Sequence, residues 1–282
     1  MKLLTTLTPA ETMLILETSC SQKDLMKFTL MDLFLKKVLE IKVEKKTIST
    51  RDKYARRIKA VKSYPYVIKG KNFDKYTIKG HEIIFLSPYH KSSSLKILFK
   101  HLIKMAYENA YNSKSYKQSV LHSRHINHLL KINFFQALFG GMSLTKEGVQ
   151  TREAILSYLS SVDQNINHLL LHSTQEALEL LLHLGGNIFL LKNLDFALLR
   201  EIDRQLLEEQ KLRYSEVYDF ADDWSYYLDF YEDTSLFESF FDDVDDTMDS
   251  FDADYDAAGC SSGDGGCSSC SGCGGCGGCG GD

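Results

Sequence analysis

Apolar and polar positions alternate with a helical period through the first forty residues and then change to a period of two. Thr8-Pro9-Ala10-Glu11 starts the first element: Thr8 is suited to cap a helix, Pro9 to occupy its first turn, and Glu11 to close a capping box three residues on. Ser21 caps a second helix over Lys23 to Leu39. There Leu25, Phe28, Leu33, Leu35 and Leu39 combine with Met26, Leu30 and Met31 into an apolar surface broad enough to be buried on more than one side. Glu40-Ile41-Lys42-Val43-Glu44 alternates as a strand does. Helix, turn, helix and short strand together predict a winged-helix-like start over residues 1–48.

The rest of the pattern is again mostly helical. Tyr76 to Leu86 reads as a strand, Ser92 or Ser93 caps a long helix from Leu95 to Tyr111 with Leu98, Leu102 and Met105 on one face, and the polar run Ser113 to Ser123 reads as a loop. Leu144-Thr145-Lys146-Glu147-Gly148, in an order resembling the end of a wing, leads into a helix from Val149 to Leu159. Gln175 to Leu184 and Leu194 to Arg213 form two more helices, separated by Gly185-Gly186 and the apolar Ile188-Phe189-Leu190-Leu191. Leu178, Leu181, Leu182, Leu198, Leu199, Ile202 and Leu206 recur at helical spacing and belong to a core. The fold class is therefore mainly α with small β elements: a winged-helix-like N-terminal unit, a helical body and a disordered C-terminal tail.

Charge changes this picture more than overall composition does. The 282 residues carry a formal net charge of −5, yet residues 1–213 hold all 33 Lys and Arg against 20 Asp and Glu, whereas residues 214–282 hold 18 acids and no Lys or Arg. A basic body of this kind attracts nucleic acid, anionic head groups or an acidic protein segment. Its most cationic stretch, Lys42 to Lys79, includes Arg51, Lys53, Arg56, Arg57, Lys59 and Lys62 with Tyr54, Tyr64 and Tyr66 interleaved. That stretch reads either as a phosphate-contacting surface with stacking aromatics or as a solvated helix face carrying ordinary lysines, and the second reading is preferred because no base-reading pattern accompanies the charge.

Three segments follow: a basic, mainly helical body over 1–213, an acidic-aromatic segment over 214–258, and a Gly/Cys-rich low-complexity tail over 259–282. The acidic segment holds thirteen aromatics between Tyr214 and Tyr255, Trp224 among them, so it suits docking onto a protein partner or onto the chain's own basic body better than simple solvation. In the tail, Cys260, Cys267, Cys270, Cys273, Cys276 and Cys279 are six of the chain's seven cysteines. The last five recur every third residue with Ser or Gly between them, so neighbouring pairs are C-x-x-C units on a backbone free to converge on one ion. Thiolates are soft donors, which points to zinc or copper(I), with redox response as the other chemistry of such a tail.

Other candidate chemistry is thinner. His122, His125 and His128 lie three apart and His168 and His172 four apart, but only Leu169, Leu170 and Leu171 stand between the last two, without the Glu of a metalloprotease helix, so no catalytic metal centre is expected. Cys20 has no evident base beside it, and no nucleophile elbow, Walker loop or dinucleotide fingerprint appears. Glu11 and Glu17 interrupt the N-terminal apolar run, no small-residue cleavage site follows, and no stretch approaches 18 apolar residues, so neither a signal peptide nor a transmembrane segment is expected and a cytoplasmic location is.

Leu7-Thr8-Pro9-Ala10-Glu11, the stretch Met26 to Leu33 with Lys36-Lys37-Val38-Leu39, the segment Gly186 to Asn193 and the Gly/Cys tail resemble an uncharacterised bacterial protein family with an LTPAE-type helical N-terminus and a Gly/Cys-rich C-terminal tail. The opening and the tail are also distantly similar to bacterial membrane proteins with a helical N-terminal repeat, from which this chain departs by lacking a span. The resemblance implies a bacterial, intracellular protein and brings no activity with it. The expected function is that of a non-enzymatic binding protein whose Cys-rich tail binds soft metal ions or responds to redox state. The alternative is a winged-helix-type nucleic-acid-binding regulator autoinhibited by its acidic tail, and a third class makes the tail a site of covalent modification.

Overall fold

Thr8 and Glu11 close a reciprocal cap on the first helix, α1 (Pro9–Leu16): the Thr8 amide donates to Glu11 Oε2 at 2.6 Å and the Glu11 amide to Thr8 Oγ1 at 3.3 Å. The computed structural model describes residues 3–51, 57–92, 94–131, 142–195 and 244–260. α2 (Gln22–Leu35) starts where expected, with Ser21 Oγ accepting from the Asp24 amide. It stops four residues before the expected end. Lys37 takes φ +49°, its amide donates to the Phe34 carbonyl, and the Val38 amide donates to Leu33, the paired bonds that close a helix through a left-handed residue. Leu39 then begins a strand instead of ending the helix.

β1 (Leu39–Arg51) and β2 (Arg57–Lys69) pair antiparallel over their full lengths, from Leu39↔Lys69 to Arg51↔Arg57. The base of this ribbon is anchored. Leu39 and Val67 are fully buried, the Tyr89 hydroxyl donates to the Val67 carbonyl at 3.0 Å, and β3 (Ile97–Leu98) pairs with Tyr66 and Val67. The preferred sequence reading of the basic stretch, a solvated helix face, is thus corrected to a long two-stranded ribbon: Thr47, Ile48, Val61, Tyr64 and Tyr66 favour a pleated strand.

Two more expectations are overturned. Tyr76 to Leu86 forms no strand; a 3-10 turn at Gly80–Glu82 runs into the short helix α3 (Ile83–Leu86) because Glu82 Oε2 reaches back to accept from the Lys79 amide at 2.7 Å. The apolar run Ile83-Ile84-Phe85-Leu86 is too short for period alone to separate strand from helix. Ser113 to Ser123 is no loop: Asn112 caps α5 (Ser113–Leu121), which buries Tyr116, Val120 and Leu121 at one-turn spacing. Between them α4 (Phe99–Asn109) is shorter than the expected helix, because Ile97 and Leu98 are taken by the sheet and no serine caps it.

Beyond the small pair β4 (Leu130–Lys131) and β5 (Ser143–Leu144), Thr145 caps α6 (Lys146–His172), accepting from the Gly148 amide at 3.0 Å. This 27-residue helix far outruns the expected eleven, burying Ile155, Leu159, Val162, Ile166 and Leu170. α7 (Thr174–Leu184) packs on α6, and the 3-10 segment after it, Gly185–Leu190, folds back onto α1 and α2. The helix expected over Leu194 to Arg213 falls almost wholly outside the described residues. The last described element is α8 (Val244–Cys260), packed on α4 and α2. The chain is mainly helical with a small sheet, and no helix among the described residues is long and apolar enough to cross a membrane.

Candidate functional site

The ribbon concentrates the cationic residues. Its two strands hold Lys42, Lys45, Lys46, Arg51, Arg57, Lys59, Lys62 and Lys69 against Glu40 and Glu44. Register sets its faces, because residues directly opposite in an antiparallel pair point the same way and neighbours along a strand point opposite ways. Lys42↔Tyr66, Glu44↔Tyr64 and Lys46↔Lys62 therefore share one face, and Val43↔Pro65, Lys45↔Ser63 and Thr47↔Val61 the other.

On the first face Lys46 Nζ lies 5.6 Å from the Tyr64 ring centre, 5.2 Å from that of Tyr66, and 3.0 Å from the Tyr66 hydroxyl. Lys62 Nζ lies 5.7 Å from the Tyr64 ring. Lys46 is held above the usual lysine range, first by the Tyr66 hydroxyl beside it. Glu44 is engaged by Lys96 at 2.7 Å, which holds its carboxyl below the usual range. Lys46 and Lys62 are paired directly opposite one another, like charges that disfavour the pairing, while Lys46 Nζ also lies 3.9 Å from Glu44 Oε2. The other face exposes the apolar Val43 and Val61, 48% and 67% exposed, among Lys45, Ser63 and Thr47.

α8 meets a different basic surface. Lys27 Nζ contacts Asp252 at 3.0 Å, and Lys23 Nζ contacts Asp256 at 3.0 Å and Asp252 at 3.7 Å. Phe251 is buried, and the Tyr255 ring meets Tyr107 edge-on at 5.0 Å. Burial pushes the Tyr255 hydroxyl up to about 12. Its ion pairs and ring contacts thus fall on α2 and α4, away from the distal ribbon.

Below the ribbon, α1, α2, the turn at Gly80–Glu82 and the segment Gly185–Leu190 meet around buried polar groups. Lys79 Nζ contacts Glu11 at 2.9 Å and Lys36 Nζ contacts Asp32 at 2.6 Å, while the Tyr76 hydroxyl donates to Glu82 Oε1 at 2.8 Å. Asn187 Nδ2 donates to the carbonyls of Leu4, Leu7 and Leu184. Burial pushes Glu82 up to about 7 and Asp32 upward, and brings His81 down to about 4. Burial also raises Glu11, but Lys79, Ser123 and the Thr8 amide together hold it below its ordinary value. Asp32 Oδ1, His81 Nδ1 and Asn187 Oδ1 have no hydrogen-bond partner among the described residues.

This junction was missed from sequence, although Asp32 inside Leu30-Met31-Asp32-Leu33-Phe34 is a signal, since an acid in an apolar helical run must find a partner. The opening, α2 and Gly186–Asn187 meet here.

Unlike His81, the spaced histidines His122, His125, His128, His168 and His172 are exposed. His168 and His172 lie one turn apart on α6, exposed, with ring centres 4.3 Å apart. His122 ends α5, and His128 Nε2 lies 3.8 Å from Glu147. No group of three or more His, Cys, Asp and Glu able to hold a metal occurs among the described residues. Cys20 is buried, with its thiol pushed up to about 11 by burial. Cys260 ends α8, and its side chain, like Cys267, Cys270, Cys273, Cys276 and Cys279, lies outside the described residues. Comparison with protein-family models, with curated proteins and with solved structures finds no match for this chain.

Proposed function

We propose that the protein is a non-enzymatic binding protein whose β1–β2 ribbon engages nucleic acid. The observation that carries this reading is the opposed pair Lys46↔Lys62 beside Tyr64 and Tyr66 on one face of an arm anchored at its base. Cations held against each other are relieved when phosphates come between them, and a two-stranded ribbon is one of the shapes that the major groove admits. Edge lysines also keep a bare strand from pairing with other chains, but that role does not need the tyrosines.

The order helix, helix, hairpin supports a winged-helix-type arrangement in which the hairpin does the binding. α2 suits the reading-helix role poorly, because Leu25, Met26, Leu30, Met31, Leu33 and Phe34 are buried and Lys23 and Lys27 face α8. The acidic segment docks on its own body in this reading, which the contacts of α8 with α2 and α4 support. The test is retention on DNA or heparin as salt is raised. Full-length protein is expected to bind at low salt and to release with a log–log slope set by the number of phosphates contacted. Replacing Lys46→Glu and Lys62→Glu together is expected to abolish retention, and unchanged retention would overturn the reading.

The C-x-x-C spacing supports a second activity at the far end, soft-metal binding or redox response by Cys260, Cys267, Cys270, Cys273, Cys276 and Cys279. Native mass spectrometry of reduced protein is expected to show zinc or copper(I) uptake that is lost when all six are replaced by serine. Identical masses with and without the metal would remove this activity.

A further inference from the structure

Tyr64 and Tyr66 stand two residues apart on β2, so their rings lie on one face about 6.8 Å apart along the strand. That is twice the about 3.4 Å rise per nucleotide in a base-paired helix. Successive bases can lie on both rings only after leaving one another's stack. Around the rings, Lys42 is paired across from Tyr66, Lys46 lies over both, and Lys62 lies over Tyr64.

We infer that this face is a two-base stacking ladder for single-stranded nucleic acid, with Tyr64 and Tyr66 taking successive bases and Lys42, Lys46 and Lys62 taking the flanking phosphates. The inference rests on the nucleic-acid reading of the ribbon and narrows it from nucleic acid in general to an unpaired strand.

The lysines do not block the ladder. An exposed ammonium over a ring is held more weakly than a base stacked on it, and the lysine stem is flexible. On binding, each ammonium turns from the ring face to a phosphate and the base takes its place, so no cation is left without a partner. A duplex offers the ribbon phosphates but not unstacked base faces, and gains only the electrostatic part.

The test uses the full chain, a fluorescein-labelled twelve-residue oligothymidylate and a labelled twelve-base-pair duplex, read by anisotropy across a salt series. The single strand is expected to bind at least about tenfold more tightly than the duplex, the gain expected of stacked bases. Tyr64→Ala with Tyr66→Ala is expected to remove that preference while leaving the salt slope unchanged. Tyr64→Phe with Tyr66→Phe, which keeps the rings, is expected to retain the preference and guards against loss of fold, checked by circular dichroism. Lys46→Ala with Lys62→Ala is expected to lower the salt slope by about 1.4, two single-strand phosphates.

Equal affinity for strand and duplex, or a preference that survives the alanine variant, overturns the ladder while leaving the ribbon reading in place. No binding of either probe at low salt overturns the ribbon reading itself.

Discussion

Gly186 and Asp32 touch so closely that a Cβ built on the glycine would lie 2.1 Å from Asp32 Oδ1 and 2.8 Å from Pro9 Cγ. The contact locks the segment after α7 onto the start of α1 and the last turn of α2. Gly186→Ala is therefore expected to destabilise the protein by about 1–3 kcal/mol, the usual cost of overpacking, read from the denaturant midpoint. Gly185, whose added Cβ meets nothing within 4 Å but whose φ of +53° and ψ of −135° suit glycine alone, is expected to show a purely backbone cost of more than about 1 kcal/mol.

Lys79 matters because Glu11 is fully buried while Lys79 is not, with side-chain exposures of 0% and 26%. Lys79→Met leaves the carboxylate with its Thr8 cap but without its countercharge, and is expected to cost about 3–5 kcal/mol. Lys79→Met combined with Glu11→Gln is expected to recover part of that loss. Additive losses in the double-mutant cycle would show that the two groups do not interact.

His81 and Glu82 titrate in opposite senses. Glu82, raised from 4.5 to about 7, contributes stability below pH 4.5 that is lost as pH rises through 7; His81, lowered from 6.5 to about 4, contributes stability above pH 6.5 that is lost as pH falls through 4. Between pH 4.5 and 6.5 the unfolded chain holds a proton on His81 and the folded chain holds one on Glu82, so the pair adds almost no slope. His81→Gln is expected to unmask a fall in stability from pH 4.5 to 7, and Glu82→Gln a rise from pH 4 to 6.5, each approaching about 1.4 kcal/mol per pH unit. Parallel stability profiles for the two variants and the parent would refute this exchange.

Docking of α8 is expected to depend on Phe251 far more than on its ion pairs. Phe251→Ala removes a side chain that is 1% exposed and is expected to weaken docking by about 3 kcal/mol or more, read as loss of hydrogen-exchange protection over 244–260. Lys23→Ala and Lys27→Ala, at side-chain exposures of 25% and 17%, are expected to cost about 0–1 kcal/mol each and to respond to salt.

What the sequence determined by itself is local. The caps of α1, α2 and α6 are written in Thr8-Pro9-Ala10-Glu11, Ser21 and Thr145, because a cap needs only a side chain within three residues of the amides it satisfies. The acidic segment and the spacing of the tail thiols are also plain from sequence, since composition requires no partner.

Tertiary structure decided the rest. Whether Tyr76 to Leu86 became strand or helix depended on Glu82 turning back to the Lys79 amide, and the polar run at 113–121 became a helix because the core had room for Tyr116 and Val120. The face shared by Lys46, Lys62, Tyr64 and Tyr66 exists only through register, since one residue of slip would turn one strand's side chains to the other side. The buried junction depended on distance in the chain: Glu11, Asp32, His81, Glu82 and Asn187 are separated by up to 176 positions, and packing alone brings them to the place where burial sets their protons.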